Sequence, residues 1–314
     1  MFQRRERRVA VCALILVFCA LGRAPRLFAQ DTEQDLIQYI DWDIEAGRID
    51  AALARARGAV TEYPDSSILM HLLGVAESKK GLQNEARQSF LSAIHLDPTI
   101  PQNYYDLAVL DMQSGHNDEA AAMLETYIRV DPQNGKAHLL LGLAYQKQKD
   151  DRQAFNEFKQ AAALSPDLPL AHYYLGTEDE SQGNSKAAVG EFKEELKINP
   201  GFYDLYWQAG NIALALEDFK SAEDFFRQGI ALRPLHYEAH YGLAKLFWAR
   251  QELPQAASEL ETVIALEPQA IDAHALLARV YEKMGETMQA KREDLVVETL
   301  RTGSEASHSE DSGH

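Results

Sequence analysis

Four of the ten histidines, His138, His172, His240 and His274, fall on one spacing, a multiple of 34 residues. Imidazoles in register could hold metal or move protons. Successive members stand a full repeat apart, too far to share one ion whose bonds are about 2 Å long. The row therefore reads as histidines packed between helices with one ring nitrogen bonded. His236 and His240, four residues apart, would suit a metal pair on one helix face. Pro234 puts His236 before or at the helix start, which spoils that geometry. Both cysteines, Cys12 and Cys19, lie in the apolar run 9–22. Beyond that run there is no thiol for a nucleophile, a metal site or a disulfide. A glycine-rich phosphate loop, a nucleophile elbow and an H-E-x-x-H pair are all missing from the sequence. The residues thus predict no catalytic site, no metal and no cofactor.

The elements that carry these histidines are repeats. Pro64, Pro98, Pro132, Pro166, Pro200, Pro234 and Pro268 are each 34 residues from the next. Ala52, Ala86, Ala120, Ala154, Ala188, Ala222, Ala256 and Ala290 keep the same phase, as do Gly74, Ala108, Gly142, Gly176, Gly210, Ala244 and Ala278. Each unit reads as two short helices. In the fourth, 137–147 places Leu140, Leu141, Ala144 and Tyr145 on one helical face, and 154–164 places Ala154, Phe158, Ala161 and Ala162 on another. Pro166 ends the second helix. Gly47, Gly81, Gly115, Gly183 and Gly285 suit a left-handed residue closing each first helix. Asn84, Asn117, Asn184 and Asp218 offer caps to the second helices, and Pro101, Pro169 and Pro254 sit near helix starts. The small residues mark close helix contacts, with Phe90, Phe158, Phe192 and Phe226 filling the space beside them.

On these residues the chain resembles the tetratricopeptide repeat family, whose pattern is Trp, Leu-Gly, Tyr, Ala, Phe and Pro over 34 residues. Leu141-Gly142, Tyr145, Ala154, Phe158 and Pro166 match it. The Trp slot holds Met70, Tyr104, His138, His172, Tyr206, His240 and His274 instead. The resemblance covers about 270 of the 314 residues, with degenerate first and last units, as befits repeats that have one face in water. It implies an all-α, right-handed superhelical solenoid of about eight helix pairs over 33–302. The units would lie near 33–66, 67–100, 101–134, 135–168, 169–202, 203–236, 237–270 and 271–302. It also implies a groove lined by the first helices and receiving a peptide or partner helix. The slots that would face it hold His71, Tyr105, Tyr173, Tyr174, Trp207, Tyr241 and Trp248, with Lys136, Lys147, Asn211, Lys245 and Arg279 among them. Aromatic anchors with a few polar groups suit polypeptide recognition.

Charge and ends set the context. The net charge is −17, and removing residues 1–29, with six Arg and one Glu, takes it to −22. Such a chain has no basic face for nucleic acid and no attraction to an anionic lipid surface. Arg4, Arg5, Arg7 and Arg8, the apolar run and Ala29 before Gln30 read as an export signal over 1–29. The alternative is a retained anchor at 9–22, the one route to a membrane. Residues 303–314 read as a disordered tail. The expected function is a non-catalytic scaffold of the cell envelope, periplasmic or secreted, whose partner is a protein or peptide, with no nucleic acid and no small-molecule substrate. The alternative is a structural, oligomeric part of an envelope or secretion assembly.

Overall fold

Apolar residues at helical spacing, broken by a turn every half repeat, fold as helix pairs. The structure, a computed structural model, describes residues 31–311. The first pair is α1 (Glu33–Glu45) and α2 (Ile49–Glu62), followed by α3 (Ser67–Lys80) with α4 (Gln83–Leu96), then α5 (Pro101–Gln113) with α6 (Asn117–Val130). The fourth pair is α7 (Gly135–Lys147) and α8 (Asp151–Leu164), and the fifth is α9 (Ala171–Ser181) and α10 (Ser185–Ile198). Next come α11 (Tyr203–Ala215) with α12 (Phe219–Leu232), and α13 (Tyr237–Ala249) with α14 (Leu253–Leu266). The last pair is α15 (Ile271–Met284) and α16 (Thr287–Asp311). The described residues thus form eight pairs, an all-α repeat solenoid. The expected signal over 1–29, the alternative anchor and both cysteines lie outside the described residues. The backbone is helical on to Asp311, past residue 302, where the sequence reading begins a disordered tail. No described helix is long and apolar enough to cross a membrane.

The contacts divide the chain into two units, one up to Met123 and one from Leu124. In the first, α1 packs on α2, α2 on α3, α3 on α4 and α4 on α5, and the first helices α1, α3 and α5 also meet their neighbours directly. In the second, α7 to α16 pack in chain order, and α11 also meets α13. Within each unit the pairs bury their apolar stripes on one another, so most stability there comes from neighbour contacts.

One turn recurs eight times. After each first helix a residue takes left-handed backbone, and the next N–H reaches back to a carbonyl five residues earlier, as from Arg48 to Asp43 at 2.9 Å or Asp150 to Tyr145 at 3.0 Å. This pattern satisfies carbonyls that the helix end would leave open. The five expected glycines all have positive φ. The other three turns hold Lys149, Glu217 and Gln251 at φ 63°, 58° and 62°, a strain that the sequence did not reveal.

Capping differs from expectation. Asp218 accepts from the Ser221 N–H as anticipated, but Asn184 makes no side-chain cap. Asn84 lies inside α4, whose cap position is Leu82. Asp150 and, at the first helices, Ser66 and Asn134 do the capping instead. Pro101 and Pro254 open helices as read. Pro169 does not, because Leu170 after it turns to φ 72° and gives its N–H to the buried Glu195 carboxylate at 2.9 Å. α9 starts at Ala171, two residues later in the repeat than α7 or α11.

The glycine contacts follow the phase of the repeat. A Cβ on Gly142 would stand 2.6 Å from the Phe158 ring, and one on Gly176 or Gly210 would stand 2.6 Å from Phe192 or Phe226. Phe90, Phe158, Phe192 and Phe226 are all buried.

Candidate functional site

Helix phase puts the histidine row between elements. In each case Nδ1 meets a glutamate on the second helix of the same pair: His138 with Glu157 at 2.6 Å, His172 with Glu191 at 2.6 Å, His240 with Glu259 at 2.6 Å and His274 with Glu293 at 2.5 Å. Nε2 meets the carbonyl of the proline six residues before, at 3.1, 3.2, 3.1 and 3.2 Å. Both nitrogens are engaged, where the sequence reading expected one. The hydrogen bond to Glu157 raises the His138 pKa against the opposing effect of burial, and Glu259 does the same for His240. His236, four residues before His240, faces Asp204 and Glu238 at 3.9 and 3.4 Å. The described residues hold no cluster of three or more His, Cys, Asp or Glu able to bind a metal.

The aromatic slots lie on the first helices. In the second unit, Tyr173 packs on Phe202 at 5.1 Å and edge-on to Tyr174 at 5.2 Å, and Tyr174 stacks on Phe158 at 5.2 Å. Trp207, on α11, is half-buried and tilts toward His236 at 6.4 Å. Tyr173, Trp207 and Tyr241 share one repeat slot, yet each is held by different neighbours. Asn211, Lys245 and Arg279 share another. The Lys245 ammonium donates to Asn211 Oδ1 at 3.0 Å and lies 5.2 Å from the centre of the Tyr241 ring. Burial lowers the Lys245 pKa and raises those of Tyr174 and Tyr241. Trp248 is flanked by Arg279 and Lys283, each 5.1 Å from the ring centre.

The structure therefore joins Asn211, Tyr241 and Lys245 into one cluster and Trp248 with Arg279 into a second. Tyr173 and Tyr174 form a third. Lys136 and Lys147 are exposed on α7. His71 and Tyr105 belong to the first unit. There His71 lies 3.4 Å from Asp106 and 5.5 Å from the Phe90 ring, while burial raises the Tyr105 pKa. Sequence reasoning missed Lys283, one helical turn beyond Arg279, and Phe202, which precedes α11. It also missed the glutamate row, which repeat phase alone could have found. Trp42 was missed as well. It is 60% exposed, with the Arg48 guanidinium 3.7 Å from its ring centre, in a slot where later repeats bury Ala76 and Leu110.

Sequence models of the tetratricopeptide repeat match residues 43–101 and 105–169, and a second such model matches 213–280. No curated protein matches the chain. Among solved structures, the C-terminal part of a TPR repeat-containing protein from Cytophaga hutchinsonii is 15% identical, covers 76% of this chain and 97% of its own, and superposes with a TM-score of 0.63. A tetratricopeptide repeat protein from Parabacteroides merdae is 17% identical, with coverage of 79% and 98% and a TM-score of 0.52. YrrB, described as a TPR protein with an unusual peptide-binding site, is 21% identical, with coverage of 59% and 95% and a TM-score of 0.52. At these identities the likeness speaks for the fold, and with the repeat matches along the sequence it places this chain in the tetratricopeptide repeat family.

Proposed function

We propose that this chain is a non-catalytic scaffold of the cell envelope that binds a polypeptide on the first-helix face of its second unit. The observation that carries the reading is the placement of Lys245, Arg279 and Lys283. These cations rest on the rings of Tyr241 and Trp248 in a chain of net charge −17. Rigid aromatics supply contact area at little entropic cost, and cations beside them suit a partner that bears carboxylates. Tetratricopeptide repeat proteins generally bind proteins or peptides, and a peptide-binding site is described for YrrB, which supports the class of partner. Export rests on the basic start and apolar run of residues 1–29.

The test uses residues 30–314 as bait in envelope extract. A captured polypeptide should lose about 2 kcal/mol or more of affinity on Trp207→Ala, with the helical spectrum unchanged. Undiminished binding by Trp207→Ala and Lys245→Gln would exclude this face. The N-terminus of the protein made in its native host should lie at or near Gln30, and a chain beginning at Met1 in the cytoplasm would refute export. A second reading, a self-associating structural part of an envelope or secretion assembly, is favoured by the exposed Tyr39 and Trp42 on α1. Sedimentation of the mature chain separates the two, since the scaffold reading predicts a monomer.

A further inference from the structure

Within this one chain, the residue in the Trp slot and the residue nineteen positions later change together. Where the first is His138, His172, His240 or His274, the second is Glu157, Glu191, Glu259 or Glu293. Where the first is Leu36, Met70, Tyr104 or Tyr206, the second is Arg55, Ser89, Met123 or Phe225. The tyrosines keep half of the arrangement, because the Tyr104 and Tyr206 hydroxyls donate to the Pro98 and Pro200 carbonyls at 3.2 and 3.3 Å. The slot therefore serves to tie a first helix to the end of the preceding repeat. Histidine with glutamate adds a second tie, to the second helix of its own pair.

Proton count decides when both ties exist. A carbonyl oxygen only accepts, and an ionised carboxylate only accepts. A neutral imidazole has one N–H, so it can serve one of the two. The imidazolium has two and serves both, through charge-assisted bonds on the glutamate side. We propose that the His138–Glu157 and His240–Glu259 pairs form a pH-sensitive lock in the unit from Leu124, which binds consecutive helices more tightly as the medium turns acid and loosens them above neutrality. Few other charges face the rings. His138 also feels Asp131. His172 shares an open cavity of about 390 Å³ with Lys159, Asp179 and Glu191. For His240 and His274 the facing charges are Glu259 and Glu293. The raised pKa of His138 and His240 agrees in sign. A group whose pKa is higher folded than unfolded stabilises fully below its unfolded value, about 6.5 for histidine, and loses that contribution as pH rises through the folded value.

The test replaces each pair by the chain's own non-titrating solution. His138→Tyr with Glu157→Met copies Tyr104 and Met123, and His240→Tyr with Glu259→Phe copies Tyr206 and Phe225. In the unaltered chain the melting temperature should fall by about 3 °C or more between pH 5.5 and pH 8.5. The two double replacements combined should remove at least a third of that fall. An unreduced fall in the combined variant would overturn the proposal. Histidine-selective NMR titration of the unaltered chain needs no variant. It should place His138 and His240 above the ordinary midpoint of about 6.5, and midpoints at or below that value would also overturn the lock.

Discussion

Glu217 closes its helix with φ 58° at the turn position that Gly183, one repeat earlier, holds at φ 80°. Left-handed backbone costs an L-residue about 1–2 kcal/mol, and glycine escapes that cost while losing about 0.5–1 kcal/mol through its freer unfolded chain. Glu217→Gly and Lys149→Gly should each therefore stabilise by roughly 0.5–1 kcal/mol. Gly183→Ala should cost about 1 kcal/mol by conformation alone, because a Cβ there would meet nothing within 4 Å. Urea denaturation of the three variants checks the signs, and a destabilised Glu217→Gly would mean that its side chain matters more than its backbone.

Gly142 and Gly190 make a second contrast. Both lie inside helices, but a Cβ on Gly142 meets the Phe158 ring at 2.6 Å while one on Gly190 meets nothing within 4 Å. Gly142→Leu should destabilise by roughly 2–4 kcal/mol through overpacking. Gly190→Ala should stabilise by about 0.5–1 kcal/mol through helix propensity. Thermal unfolding distinguishes them, and equal effects would mean that the glycine contacts yield without strain.

Phe226 has a glycine on each side, Gly210 in its own pair and Gly242 in the next, and no part of it is exposed. Phe226→Ala should cost about 3–5 kcal/mol. Phe226→Leu should cost about half of that, and a calorimetric scan showing equal losses would place the energy in the ring's edge contacts rather than in its volume.

His71 predicts a pH dependence of opposite sign to the histidine lock. Burial lowers its pKa, partly offset by Asp106. The unfolded chain then binds more protons than the folded chain below about pH 6.5, so stability is whole above that pH and falls as the medium acidifies. Relative to the unaltered chain, His71→Gln should therefore shift the change in unfolding midpoint from pH 7.5 to pH 5 in the stabilising direction. An identical change in the two proteins would mean that His71 contributes nothing to the acid response.

The sequence alone determined the repeat, because prolines, alanines and glycines act locally. Proline stops a helix wherever it falls, glycine accepts left-handed backbone, and small residues are needed wherever helices touch. Those rules placed the eight pairs, the turns at Gly47, Gly81, Gly115, Gly183 and Gly285, and the buried Phe158 and Phe226. What lay beyond them depends on residues far apart in sequence. Lys149, Glu217 and Gln251 take left-handed backbone because the pairs on either side fix the turn, against their own preference. Glu195 unwinds the start of α9 because it is buried twenty-five residues after Leu170, whose N–H it accepts. His138 needs both Glu157 and the Pro132 carbonyl, and only packing brings helix partner and preceding turn to its two nitrogens. The aromatic slots were legible as positions on the first helices. Packing decided that Lys245 would reach Asn211 across two helices, and that Trp248 would lie between Arg279 and Lys283.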